Sequence, residues 1–183
     1  KMNSVSVSGK NWILKRFDQH KISYLKDNFF LDEITAKLLE IRKIKDKEIN
    51  SFLNPSIKNL LPNPDDILDM KKSSQRFLES LKNKDKVGIF GDYDVDGASS
   101  TALLCKYFNE LNLPFEIYIP DRIKEGYGPS IDGFKKLIQK DVKLIFTVDC
   151  GTSSFKAIDF AKENNIDVIV LDHHQSSIKL PNA

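Results

Sequence analysis

The chain has 183 residues, of which 40% are hydrophobic and 30% are charged, and this composition predicts a soluble globular protein with room for one α/β domain and a smaller element. Lys and Arg number 28 and Asp and Glu 26, so the net charge of +2 neither indicates nor excludes a nucleic-acid partner. No apolar run approaches the ~20 residues that a membrane span requires, and the polar residues 1–10 lack the apolar core of a signal peptide, which predicts no membrane association.

A helical N-terminal region is predicted for residues 1–70. Asp32 can cap a helix in which Ile34, Leu38 and Ile41 recur at helical spacing. A second helical pattern and a Pro- and Asn-rich boundary follow, at residues 46–53 and 61–66.

Residues 71–183 are predicted to form an α/β domain with a parallel sheet flanked by helices. After a helical pattern at residues 68–81, four apolar segments alternate with three helix-like segments. Strands that are apolar on both faces and separated by helices indicate βαβ units. The strand candidates are residues 87–90, 115–119, 144–148 and 168–171, and the helix candidates are residues 98–111, 131–139 and 154–163.

The two cysteines, Cys105 and Cys150, lie inside these predicted elements and have no CxxC spacing. This usage predicts reduced thiols in or near the core of a cytoplasmic protein.

Acidic and histidine side chains follow three of the four predicted strands. The carboxyl ends of parallel strands share one edge of a sheet, so these side chains are expected to meet there. Crowded carboxylates repel one another, and cations keep them ionised. Carboxylate oxygens with imidazole nitrogens suit Mn²⁺ or Mg²⁺, and two ions would favour phosphoester hydrolysis. The side chains are Asp92, Asp94 and Asp96 after the first strand, Asp149 after the third, and Asp172, His173 and His174 after the fourth.

Other interpretations of these segments exist. An EF-hand loop starting at Asp92 requires a preceding helix and a Glu at its twelfth position, which is Leu103. A haloacid-dehalogenase-type phosphatase usually has a Thr or Val two residues after its second Asp, where this chain has Asp96. Asp149 alone could equally cap a turn or helix. His20 lies in a polar stretch and is expected at the surface.

The segments around these residues resemble the DHH phosphoesterase superfamily. Its first three motifs resemble residues 91–97, 148–151 and 172–174, and within it the match is closest to the RecJ group of single-strand-specific DNA exonucleases. Similarity to that group extends to residues 52–55, 69–70, 120–122 and 125–128. The resemblance implies a fourth motif beyond Ala183 that supplies another aspartate, so the chain is interpreted as a fragment whose DHH domain is incomplete at its C-terminus.

The resemblance also implies a two-metal site. Asp94 and Asp149 would bind the first ion, helped by Asp92, which falls where some relatives have a histidine. Asp96, Asp149 and His173 would bind the second ion, so that Asp149 bridges the two.

Two further side chains are implied to meet the substrate. Because neighbouring residues do not easily face the same way, one of the two histidines is expected to bind metal, and His174 to contact the scissile phosphate or orient the attacking water. Arg122 is a candidate phosphate or DNA-backbone contact, since a guanidinium matches phosphate oxygens in a bidentate way, and a solvated surface arginine is the equal alternative.

The expected activity is therefore 5′→3′ exonuclease action on single-stranded DNA with Mn²⁺ or Mg²⁺, in DNA repair and recombination, with single-stranded DNA and DNA-repair proteins as partners. Two alternatives remain. One is a phosphodiesterase acting on short oligonucleotides or cyclic dinucleotides. The other is a truncated metal-binding module without turnover.

Overall fold

The computed structural model describes residues 6–13, 15–176 and 178–183, so the first five residues of the polar N-terminal stretch lie outside it. The chain divides into two compact units, Lys1–Asn63 and Pro64–Ala183, within the Pro- and Asn-rich stretch. Within the described ranges, no helix combines the length and the apolar character that crossing a bilayer would require.

The N-terminal unit is helical. Asp32 caps the second helix by accepting the backbone N–H groups of Ile34 at 2.8 Å and Thr35 at 3.0 Å. The described residues of this unit form α1 (Gln19–Phe29), α2 (Glu33–Ile41), α3 (Asp46–Leu53) and α4 (Ile57–Leu60).

The buried face of α2 differs from the one that the apolar spacing indicated. Ala36 and Leu39 are buried, whereas Ile34 is 72% exposed and Leu38 45% exposed. Ala36 and Leu39 pack with Ile22 and other buried residues of this unit. The small Ala36 permits close helix packing, and a spacing pattern based on large residues therefore selected the wrong stripe.

The C-terminal unit contains a four-stranded, entirely parallel sheet with the order β2-β1-β3-β4. The α/β fold with a parallel sheet flanked by helices is therefore confirmed, and each strand lies within a residue of its predicted segment. After a 3₁₀ turn (Pro64–Asp66), the elements are α5 (Met70–Asn83), β1 (Val87–Gly91), α6 (Val95–Glu110), β2 (Phe115–Tyr118), α7 (Ile131–Ile138), β3 (Leu144–Val148), α8 (Phe155–Glu163) and β4 (Asp167–Leu171).

Both faces of the sheet are covered by helices. Ile145 of β3 packs with Phe134 of α7 and Ile158 of α8 on one face. Phe146, the next residue, packs on the other face with α5 and α6, where its ring centroid lies 5.4 Å from that of Phe108. Successive residues of a strand face opposite helical layers, and both layers are apolar. This explains why the strand sequences are hydrophobic throughout.

The strand order places a crevice between β1 and β3. From β1 the chain passes through α6 to β2 on one side, and then returns through α7 to β3 on the other side of β1. Because α6 follows β1 and α8 follows β3, and these two helices cover opposite faces of the sheet, the loops after β1 and β3 diverge. Ligands of open parallel sheets bind at such a topological switch point.

Candidate metal centre

The loop between β1 and α6 supplies two carboxylates to the crevice. Asp92 directly follows β1 and is 2% exposed. Asp94 caps α6, and its Oδ1 accepts the backbone N–H of Gly97 at 3.0 Å. The EF-hand interpretation is wrong, because a buried strand and not a helix precedes this loop.

Asp149 supplies a third carboxylate from the end of β3. It has a φ of 60°, a left-handed conformation that costs a non-glycine residue roughly 1–2 kcal/mol. Its backbone N–H donates to the carbonyl oxygen of Leu171 at 2.9 Å, which fixes this turn to the end of β4. The side chain is 4% exposed, and its Oδ1 lies 3.0 Å from Nε2 of His173.

Both histidines reach the same carboxylate. His174 Nδ1 lies 4.0 Å from Asp149 Oδ1, and the ring centroids of His173 and His174 are 4.8 Å apart. The expectation that neighbouring residues face different ways does not hold here, because strand alternation ends at Leu171. How the two histidines divide metal and substrate binding stays a prediction.

Asp172 orients His174. Its Oδ2 accepts the backbone N–H of Thr152 at 3.0 Å and the hydroxyl of that residue at 2.5 Å, while Oδ1 accepts the backbone N–H of His174 at 3.1 Å. Oδ1 also lies 2.8 Å from Nδ1 of His174. Since a carboxylate only accepts, Nδ1 carries a proton, and in the neutral ring Nε2 therefore keeps the free lone pair.

The pKa values of these two groups shift in opposite directions. Burial opposes ionisation of Asp172, but the donors of Thr152 and His174 outweigh it, and the pKa of Asp172 lies below its usual value. The hydrogen bond to Asp172 raises the pKa of His174.

The side chains form two donor groups that share Asp149. In each group the ligand atoms lie within 4.8 Å of one another. The groups are Asp92, Asp94 and Asp149, and Asp149, His173 and His174.

This donor set fits divalent cations. Asp92 Oδ1 is buried and has no hydrogen-bond partner among the residues that the structure describes, an arrangement that is costly unless a ligand meets it. Oxygen donors with imidazole nitrogen suit Mn²⁺ or Mg²⁺. Asp96 lies exposed in the first turn of α6 and belongs to neither donor group, so its role as a ligand stays a prediction.

The neighbouring carboxylates shift one another's pKa. Burial, followed by the hydrogen bond and charge of Asp94, raises the pKa of Asp149. The backbone N–H of Gly97 lowers the pKa of Asp94. Asp149 is therefore the carboxyl group of this pair that takes up a proton first as the pH falls, and a divalent cation would compete with that proton.

The loop between β2 and α7 brings two more side chains to the crevice. The Arg122 guanidinium lies 5.2 Å from the ring centroid of Tyr93, which stands between the first two motif aspartates, and Arg122 is otherwise exposed. The Tyr127 hydroxyl donates to the carbonyl oxygen of Asp149 at 3.0 Å and lies 3.1 Å from His174 Nδ1. Burial, together with the charge of Asp172, raises the pKa of Tyr127.

The sequence did not assign roles to Asp172, Thr152 and Tyr127. The position of Asp172 directly before the two histidines was a usable signal, since histidine ligands are commonly oriented by a carboxylate. Tyr127 and Thr152 are separated from their partners by 47 and 20 residues, and no local pattern links them.

Comparison with known proteins agrees with this site. The sequence model of the DHH family, N-terminal domain, matches residues 86–183, which include every residue of both donor groups. The chain is 33% identical over 178 residues to the single-stranded-DNA-specific exonuclease RecJ of Bacillus subtilis, covering 97% of this chain and 22% of that protein. It is 38% identical over 132 residues to RecJ of Haemophilus influenzae, covering 72% of this chain and 23% of the relative.

Two solved structures are also similar. A crystal structure of exonuclease RecJ bound to manganese is 31% identical, with a TM-score of 0.56, covering 60% of this chain and 28% of that one. RecJ from Thermus thermophilus, in complex with Mn²⁺, covers 90% of this chain and 22% of its own with a TM-score of 0.60, and at 21% identity it shows the fold alone. The chain thus spans about a quarter of the length of these relatives. It belongs to the DHH family.

Proposed function

We propose that this chain is the metal-binding part of an exonuclease that removes nucleotides from the 5′ end of single-stranded DNA with Mn²⁺ or Mg²⁺. The observation that carries the proposal is the pair of donor groups that share Asp149, together with the buried Asp92 Oδ1, which accepts no hydrogen bond from any described residue. Two adjacent acidic donor groups are typical of enzymes that hydrolyse phosphodiesters.

The relatives support the choice of substrate and metal. Those from Bacillus subtilis and Haemophilus influenzae are named single-stranded-DNA-specific exonucleases, and two similar structures contain manganese. The match to the Bacillus protein covers 97% of this chain and therefore includes helices of the N-terminal unit. This favours the exonuclease over a phosphodiesterase for short oligonucleotides or cyclic dinucleotides.

We assign the metal ligands of the two cations to the following residues. Asp92, Asp94 and Asp149 would hold one cation, and Asp149, His173 and Asp96 a second. Bound divalent ions supply positive charge at a phosphate and lower the pKa of a water ligand.

His174 and Arg122 would meet the substrate. Asp172 holds the Nδ1 proton of His174 and so leaves Nε2 free to accept a hydrogen bond from an attacking water or to approach phosphate. Arg122 can donate two parallel hydrogen bonds to a phosphate beside the β1–α6 loop.

A calorimetric Mn²⁺ titration of the chain and its Asp149→Ala variant tests the metal site. Binding to the parent that is lost in Asp149→Ala is expected, whereas Asp132→Asn, which changes an 82% exposed carboxylate on α7, should bind like the parent. Equal binding by Asp149→Ala with an unchanged circular dichroism spectrum would refute the site.

Hydrolysis tests the activity. Single-stranded DNA labelled at either end is expected to lose nucleotides from its 5′ end in the presence of Mn²⁺, faster than duplex DNA or a dinucleotide. Preferred cleavage of dinucleotides would favour the short-substrate alternative. Metal binding without any hydrolysis would favour a module without turnover.

We also propose a cytoplasmic location and a class of protein partners. The two cysteines of the chain are free, with Cys150 buried, as expected in the reducing cytoplasm. DNA-repair proteins are the proposed partners, and co-purification of tagged protein with single-stranded-DNA complexes tests this.

A further inference from the structure

Glu125 lies half-buried in the loop between β2 and α7, outside the metal centre. Its carboxylate accepts two hydrogen bonds. Its Oε1 accepts the backbone N–H of Asp121 at 2.9 Å, and its Oε2 accepts the hydroxyl of Tyr118. Both carboxylate oxygens are therefore engaged by groups at the end of β2 and the start of the loop.

Tyr118 is a rigid anchor for this contact. Its ring packs on Phe90 of the core with centroids 5.3 Å apart. Gly133 of α7 lies so close that a Cβ there would be 2.9 Å from Cε1 of Tyr118. Lys136, one turn further along α7, donates from Nζ to the Tyr118 hydroxyl at 2.8 Å. The phenol is thus fixed to both the sheet and α7.

Asp121 closes the loop into a single turn. Its Oδ1 accepts the backbone N–H groups of Ile123 at 2.9 Å and Lys124 at 3.1 Å, and its carbonyl oxygen accepts the N–H of Glu125 at 2.8 Å. Oε1 of Glu125 in turn accepts the N–H of Asp121, so the turn is closed from both ends. Arg122 lies inside this turn.

The loop carries side chains to the metal centre on either side of Glu125. Arg122, three residues before it, lies against Tyr93, and Tyr127, two residues after it, contacts Asp149 and His174. An exposed loop loses entropy when ordered, so a defined position for these side chains requires a fixed attachment. The contact between Glu125 and Tyr118 attaches the centre of the loop to the core.

We propose that Glu125 is a positioning residue that, through Tyr118, holds Arg122 and Tyr127 at the metal centre and thereby sets the affinity for a phosphodiester substrate. The role in substrate binding rests on the proposed function. The metal donors lie on other loops, so Glu125 should not affect metal affinity.

The test compares Glu125→Gln with Glu163→Gln, which changes an exposed residue of α8. Glutamine offers one acceptor oxygen where glutamate offers two. At nearly constant side-chain volume, the Tyr118 hydroxyl can therefore no longer donate to this side chain while the Asp121 N–H keeps its acceptor. The measurements are Mn²⁺ affinity by calorimetry, affinity for a short 5′-phosphorylated oligothymidylate by fluorescence anisotropy, thermal midpoint, and the side-chain ¹⁵N shifts of His174 by NMR.

In Glu125→Gln the oligothymidylate affinity is expected to fall roughly tenfold, because displaced binding groups lose their geometry. The His174 shifts should change as Tyr127 moves, while Mn²⁺ affinity and thermal midpoint stay as in the parent. Glu163→Gln should match the parent in every measurement. A lower thermal midpoint with unchanged affinity and unchanged His174 shifts would show a merely structural role and overturn the proposal.

Tyr118→Phe removes the hydroxyl from the other side of the same contact. Its effect and that of Glu125→Gln should not add in the double variant, because both remove one interaction. Fully additive effects would overturn the proposal. A parent chain that binds neither Mn²⁺ nor oligothymidylate would contradict the proposed function instead, and the His174 shifts of the variants would still decide whether Glu125 positions the loop.

Discussion

Gly97 lies directly against Asp92, and a Cβ at position 97 would be only 2.5 Å from the Asp92 carbonyl oxygen. The contact joins the first turn of α6 to the end of β1, so the helix and the buried carboxylate are placed together. A glycine is required here for close approach and not for backbone conformation.

Gly97→Ala is therefore expected to weaken Mn²⁺ binding. The added methyl group must push either Asp92 or the first turn of α6 away, and loss of support around metal ligands typically costs 10–100-fold in affinity, so a fall of about tenfold is expected. Calorimetric titration measures it. Ser99→Ala, an exposed position on the same helix, is the control and should bind as the parent does. A parent-like Mn²⁺ affinity of Gly97→Ala would show that metal binding does not depend on the close contact between residue 97 and Asp92.

Asp172→Asn should lower the pKa of His174. In the metal-free protein, the contact between Asp172 and Nδ1 of His174 raises that pKa. A raised histidine pKa stabilises the folded state below the ordinary value of about 6.5, and this contribution is lost as the pH rises through the raised value. An NMR titration of the His174 ring protons should give a lower midpoint in the variant, with the exposed His20 as internal reference. An unchanged His174 midpoint would exclude the carboxylate as the cause.

The same pair tests whether His174 binds the metal or only the substrate. Protons compete with cations for imidazole nitrogen, so Mn²⁺ affinity of the parent should fall as the pH is lowered. If His174 binds the cation through the donor group that it forms with Asp149 and His173, Asp172→Asn, which loses the carboxylate that orients the ring, should bind Mn²⁺ about 10–100-fold more weakly at neutral pH. Asp159→Asn, an exposed carboxylate of α8, is the matched control. Parent-like affinity in Asp172→Asn would argue against His174 as part of the metal centre.

The sequence predicted most of the sheet because its strands are apolar on both faces. Ile145 and Phe146 are adjacent and both buried, one against each helical layer, as is typical of a parallel sheet that is covered on both faces. Because Asp92, Asp149 and His173 each follow one of these strands, the sequence also predicted that they lie at one edge of the sheet. It did not predict the distances between them.

The remaining features depend on tertiary contacts that spacing does not encode. Ile34 and Leu38 satisfy a helical pattern, yet the buried stripe of α2 contains Ala36 and Leu39. The left-handed backbone of Asp149, which aims its carboxylate into the crevice, is set by a hydrogen bond to Leu171 of the next strand. The role of Tyr127 depends on a loop whose shape is fixed by its contacts with distant residues.

Phe134→Ala tests the core that supports the crevice. Phe134 is fully buried and packs edge-to-face on Phe90, with ring centroids 5.6 Å apart. Removing a buried phenyl ring and leaving a cavity typically costs about 3–5 kcal/mol of the free energy of unfolding. Urea denaturation measures the loss, with Ile123→Ala at a 95% exposed position as the control. A loss no larger than that of the control would mean that this face of the sheet is not packed as described.

Asp96→Ala tests the second ion. Asp96 lies exposed in the first turn of α6 and outside both donor groups, yet the family resemblance makes it a ligand of the second cation. If it binds that ion, the variant should keep one Mn²⁺ site with parent-like affinity and lose the other, because Asp92, Asp94 and Asp149 remain. Calorimetric stoichiometry measures this, and the exposed Asp159→Asn should keep the parent stoichiometry. Two sites retained in Asp96→Ala would remove Asp96 from the ligand set and leave Asp149, His173 and His174 as the second group.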